Sequence, residues 1–88
     1  MPMPPVINVG FSNFVATSQI VALISSESAP MRRLVQNLRK GSDIIDATQG
    51  RKTKTVIFTQ GARVVLSAIS QETLARRMAA GETLGFDE

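Results

Sequence analysis

Five consecutive apolar residues, Ile20-Val21-Ala22-Leu23-Ile24, and a second run, Val64-Val65-Leu66, show no polar alternation. Strands built this way need cover on both faces. The chain has 88 residues to supply it, and a chain of that size hides only about 60 to 65% of its unfolded surface on folding. Disulfides and metal ions reinforce many small domains, but here there is no cysteine and no histidine. Self-association is the route left open, and a second copy of the chain is the simplest cover for these strands. The alternative is that the helices divide between the two faces and suffice alone.

The rest of the chain reads as alternating short strands and two helices. Met1 to Pro5 holds three prolines, which donate no backbone hydrogen bonds, and is expected to be a tail. Val6 to Val9 reads as a short strand ending at Gly10, and Phe14 to Ala16 as a second after a Ser12-Asn13 turn. The clearest element follows. Ser28 is placed to cap a helix, Pro30 falls in its first turn, and Gly41 is placed to stop it. Met31, Leu34, Val35 and Leu38 make one apolar stripe, while Arg32, Arg33, Gln36, Asn37, Arg39 and Lys40 take the other faces.

Beyond Gly41, Ile44 to Ala47 reads as a strand, Thr48 to Lys52 as a turn and Thr53 to Thr59 as a returning strand. A tight turn at Gln60-Gly61 leads to a strand over Arg63 to Ile69. Ser70 caps a second helix with Leu74, Ala75, Met78 and Ala79 on its apolar side and Gly81 at its stop. The expected fold is α+β, a small mainly antiparallel sheet with two helices, comprising one domain over residues 6–81 with tails at 1–5 and 82–88. No apolar run approaches the roughly 20 residues of a membrane helix, and Met1 to Pro5 lacks the charged and apolar regions of a signal peptide. A cytoplasmic location is expected, with no membrane partner.

Net charge is only +3, but residues 32–63 carry eight cations against Asp43 and Asp46, and the flanks are net acidic. Cations are thus concentrated where a polyanion can use them. An enzyme is not expected. General acid–base, nucleophilic and metal chemistry lack histidine and cysteine, and Asp43 and Asp46, three apart, point to opposite faces of a strand and suit turn and edge positions. Gly50-Arg51-Lys52-Thr53 superficially resembles a phosphate loop, but the glycine five places earlier is missing. No cofactor, metal or small-molecule substrate is implied.

The segment from Gly50 to Thr55 carries Arg51, Lys52 and Lys54 at an expected hairpin tip, where threonine hydroxyls and backbone N–H groups also serve phosphate. The same charges would suit a solvated turn that deters edge pairing, and charge alone leaves both readings open. Arg32 and Arg33 oppose the dipole of the first helix, which fits either solvated surface or placement for a ligand. Arg76 and Arg77 sit near a helix end that welcomes cations, a structural reason for their presence. With no tyrosine or tryptophan, and with Phe11, Phe14 and Phe58 in apolar contexts and Phe86 in the tail, duplex phosphate contact suits the residues better than base stacking.

Four segments, Ile7-Asn8-Val9-Gly10-Phe11, Ser26-Glu27-Ser28-Ala29-Pro30, Ile45 through Thr53 (Ile-Asp-Ala-Thr-Gln-Gly-Arg-Lys-Thr) and Leu66 through Thr73 (Leu-Ser-Ala-Ile-Ser-Gln-Glu-Thr), resemble the RemA family of bacterial extracellular-matrix regulators. They occur in the family's order and spacing, from about Val6 to Arg77. The resemblance implies a cytoplasmic activator of biofilm-matrix genes, in some bacteria linked to osmoprotectant uptake, that binds double-stranded DNA and assembles into homo-oligomeric rings. It also implies that Arg51 and Lys52 contact DNA with Lys54 as helper. Lysine in place of the family's usual second arginine keeps the charge and loses the bidentate fork, which favours phosphate contact at Lys52 over base readout. Gln19 stands where relatives often carry a basic residue. The residues also fit a second class, an assembly scaffold whose basic surface meets an acidic protein partner.

Overall fold

The computed structural model describes residues 5–41 and 43–80. Gly81, the tail over 82–88 with Phe86, and all of the 1–5 tail but Pro5 lie outside the described residues. Strands β1 (Val6–Asn8) and β2 (Phe14–Ala16) pair antiparallel as a hairpin. A 3-10 turn over Thr17–Gln19 leads into β3 (Ile20–Ser25), followed by α1 (Ala29–Leu38), β4 (Ile44–Asp46), β5 (Thr55–Thr59), β6 (Val64–Ser67) and α2 (Gln71–Ala79). Both helices begin where the sequence places their caps. Ser28 Oγ accepts from the Met31 N–H at 3.3 Å, and Ser70 Oγ from the Thr73 N–H at 3.2 Å. Helix α1 stops at Leu38, three residues before Gly41.

The second sheet has the order β3-β5-β6-β4. Strand β5 is antiparallel to both β3 and β6, and β4 runs parallel to β6. The fold is therefore α+β and mostly antiparallel, as expected, but the hairpin expected between β4 and β5 does not form. Strand β5 carries Val56 and Ile57, both fully buried and on opposite faces, so it belongs at the centre of the sheet. Pairing with β3 and β6 uses both of its edges, and β4 is left to the outer edge of β6.

The helices divide between the faces. Met31, Val35 and Leu38 of α1 pack with Ile44, Val56, Phe58, Val64 and Leu66 on one side. Leu74 and Met78 of α2, together with Ile7, Val9 and Val15 of the hairpin, pack with Ile57, Val65 and Leu23 on the other. The second copy expected to cover β6 is thus unnecessary there, because α1, α2 and the β1–β2 hairpin complete both sides. The edges differ: at β3, Val21 falls in a bulge opposite β5 and is 65% exposed, and at β4, Ile45 is 49% exposed. Polar ties fix the hairpin to the sheet, with Ser67 Oγ donating to the Val9 carbonyl and Arg77 to the Asn8 carbonyl, each at 2.7 Å. Arg77 thus ties α2 to the hairpin, a role distinct from the helix-end placement expected for it. Among the described residues no helix is long and apolar enough to cross a membrane.

Candidate nucleic-acid interface

Residues 47–54 connect β4 to β5 by crossing the end of β6, and backbone bonds fix them on both sides. Ala47 N–H donates to the Leu66 carbonyl at 2.9 Å, and Lys54 N–H to the Ser67 carbonyl at 2.8 Å. Asp46 starts the crossing: its Oδ1 accepts from the Thr48 N–H at 2.9 Å and the Thr48 hydroxyl at 2.6 Å. Gln49 and Gly50 then reverse the chain at positive φ, 53° and 79°, the second a conformation natural to glycine. Ser26 closes the loop, its hydroxyl donating to the Thr53 carbonyl at 2.7 Å and its N–H to the Lys54 carbonyl at 3.0 Å. Thr48 and Thr53 are buried while Arg51, Lys52 and Lys54 are exposed. The loop therefore points three cations outward from a hydrogen-bonded frame.

Two clefts adjoin it. Arg32 of α1, Lys52 and Lys54 border one of about 300 Å³, which is also lined by Glu27, by Ser70 at the N-cap of α2 and by Gln71 and Glu72 in its first turn. Arg32, Gln36 and Arg39 of α1 face Arg51 and Lys52 across the other, of about 200 Å³. Arg39 is engaged: its guanidinium pairs with Asp46 and donates to Thr53 Oγ1 at 3.0 Å. That is the single ion pair among the described residues; Arg32, Lys52 and Lys54 form none there, although Glu27 and Glu72 line the first cleft with them, and with Arg51 the cations outnumber those two carboxylates. Arg51 lies over the Phe11 ring, its Cζ 5.6 Å from the centroid, within cation–π range.

A family model described as RemA-like, extracellular matrix regulatory protein A-like, matches residues 6–78. The chain belongs to the RemA-like family. Among its relatives, a protein of Heliobacterium modesticaldum is 49% identical over 78 residues, covering 89% of this chain and 86% of its own. One from Nitratidesulfovibrio vulgaris is 51% identical over 71 residues, 81% of each chain, and one from Clostridium novyi is 44% identical over 82, covering 93% of this chain and 91% of its own. All three carry the name "Putative regulatory protein".

Within this RemA-like chain the structure brings together Arg32, Arg51, Lys52 and Lys54, four of the five residues singled out from the sequence. Arg33 is exposed on α1 but borders neither cleft. The helical period explains the split, since Arg32, Gln36 and Arg39 share one stripe at i, i+4 and i+7 and Arg33 is turned about 100° away. Arg39 escaped the sequence reading although that stripe contained its signal. Gln19 and Arg63 lie at the opposite end of the sheet, where Ile20 pairs with Thr59 and the Thr59 N–H meets the Arg63 carbonyl. Phe11 and Phe14, expected in apolar surroundings, are 42% and 43% exposed, because the β1–β2 hairpin buries Ile7 and Val9 instead.

Burial alone would raise the Asp46 carboxyl, but the two Thr48 hydrogen bonds and the neighbouring Arg39 outweigh it and hold the group below its ordinary value of 3.8. A carboxyl depressed in the folded state contributes stability above its unfolded pKa and loses it as pH falls through the folded one. Asp46→Asn is therefore expected to cost at most about 1 kcal/mol at pH 7, given the partial solvent exposure. In urea titrations the gap to wild type should shrink below about pH 4 and close in stronger acid. A gap independent of pH would show that the carboxylate charge contributes nothing.

Proposed function

We propose that the protein is a DNA-binding transcriptional regulator that holds duplex DNA through Arg51, Lys52, Lys54 and Arg32, each subunit acting as one of several in a homo-oligomer. The observation that carries this reading is the convergence of those four cations, none of them in an ion pair with a described residue and together outnumbering the neighbouring Glu27 and Glu72, on one end of the sheet. Phosphates are the ligands such an array suits, since sequence-independent contacts of this kind supply most of the affinity of DNA-binding proteins. The family's description as extracellular matrix regulatory protein A-like points to matrix genes as the target.

A single subunit offers few contacts, so avidity across copies supplies the remainder. Support for association comes from the β3 edge, where Val21 stands exposed beside an apolar groove of about 430 Å³ formed with Ala75 and Met78 of α2. The opposite edge, β4, exposes Ile45. Contact between unlike edges is head-to-tail, which closes into a ring when the rotation permits. Val21→Glu is expected to reduce the mass in light scattering to that of a monomer and to weaken DNA retention at least tenfold, through loss of avidity. An unchanged mass would remove this edge from the interface.

Gel retardation of a labelled 40-base-pair duplex tests the main reading. Retention is expected at about 50 mM salt and should fall steeply by about 200 mM, with a log–log slope of roughly −3 for each engaged subunit if it neutralises about three phosphates. Absence of retention at the lower salt would favour an assembly scaffold with an acidic protein partner.

A further inference from the structure

Phe11 breaks a local rule, and the one ring contact it makes among the described residues is the Arg51 guanidinium over its face, itself one of the exposed cations of the loop. Phe11 and Ser12 are the central residues of the β1–β2 turn, closed by the Asn13 N–H on the Gly10 carbonyl at 3.0 Å. Both lie at positive φ, 54° and 61°. Such mirror-image turns favour asparagine and glycine, and a bulky residue there is strained. Burial does not compensate, because 42% of Phe11 remains exposed. The turn is nevertheless held firmly: the Asn13 side chain donates to the Gly10 carbonyl at 2.9 Å, and Asn8 Oδ1 accepts from the Gly10 N–H at 2.8 Å. Strain retained at an exposed, well-braced position is the mark of a residue kept for what it touches outside the fold.

Its surroundings identify the ligand chemistry. Phe11 borders a cleft of about 490 Å³ together with Arg51, Lys52, Lys54, Ala68 and Ile69. An apolar ring among three cations repels a second copy of the same patch and suits a partner that is both anionic and able to stack. Nucleic acid has that combination, phosphates beside flat aromatic bases. We propose that Phe11 is an apolar wedge that stacks into a base step of duplex DNA while Arg51, Lys52 and Lys54 hold the flanking phosphates. The proposal rests on the DNA-binding reading above and adds to it a contact that is not electrostatic. Inserted apolar side chains of this kind partly unstack a step and bend the duplex.

Salt dependence separates the ring from the cations. Removing a phosphate contact flattens the log–log salt slope, whereas removing a stacking contact lowers affinity at every salt concentration and leaves the slope unchanged. Fluorescence anisotropy on a 40-base-pair duplex is expected to show about a tenfold loss for Phe11→Ala with wild-type slope, and recovery of most of it in Phe11→Trp. A 2-aminopurine base in the duplex should brighten with wild type and stay dim with Phe11→Ala. Phe11→Asn suits the turn, so it should bind as weakly as Phe11→Ala while melting several degrees higher than wild type. Three results would overturn the wedge: wild-type affinity in Phe11→Ala, a flattened slope showing that the ring only orients Arg51, or an effect confined to vesicles of anionic lipid. If wild type itself ignores the duplex, the DNA-binding reading falls and takes the wedge with it.

Discussion

Arg51→Ala combined with Lys52→Ala is expected to abolish duplex retention while leaving fold and oligomeric mass unchanged. Both side chains are exposed, and neither holds the loop. The frame consists of Asp46 on Thr48, Ser26 on Thr53, and backbone bonds at Ala47, Arg51 and Lys54, all of which survive truncation at Cβ. Each lost phosphate contact removes about 0.9 from the salt slope, so the double variant should lose nearly 2 for every engaged subunit. With two or more subunits on one duplex the affinity should drop by about a hundredfold or more, since avidity multiplies losses as well as gains. Gel retardation beside light scattering reads both quantities. A double variant that still shifts DNA, at unchanged mass, would take these residues out of the interface.

The largest stability effect should come from Ile57→Ala. Ile57 is fully buried in the central strand, opposite Leu23 on one side and Val65 on the other, in the cluster that includes Leu74. Truncating such a residue costs about 2 to 5 kcal/mol through lost transfer energy and the cavity left behind. Domains of this size have only about 5 to 15 kcal/mol in all. A melting temperature lower by roughly 10 to 30 °C is expected, read by circular dichroism because the chain has no tryptophan or tyrosine. Val21→Ala, at an exposed bulge, should alter the monomer's stability by less than about 0.5 kcal/mol. A small loss at Ile57 would mean that the two cluster halves stand independently.

The helices were legible because their signals are local. Ser28, Pro30 and the Met31-to-Leu38 stripe mark α1 within a dozen residues, and Ser70 with Leu74 and Met78 does the same for α2. Strand partners are a non-local property. The Gly50-containing segment has the composition of a hairpin tip, and only the competition for the edges of β5 decides that β4 joins β6 instead. The cations of the loop were legible as charge. Their junction with Arg32 and Arg39 depends on α1 packing against the sheet beside that loop, which residue spacing within either segment does not encode. Phe11 was misread for a related reason, since an apolar residue next to a turn resembles core until the turn is seen to lie at Phe11-Ser12 itself.

The sheet is also polar along its strands. Every hydrogen bond that braces the 47–54 crossing lies at the end marked by Thr55 and Ser67, whereas the Gly61-Ala62 turn sits at the other end of β5 and β6, with open space around Gly61. That turn is where a fluorophore, affinity tag or short inserted peptide can be carried with least disturbance, because exposed loop tips tolerate insertion. The same insertion placed within 47–54 would have to break the frame that aims the charges.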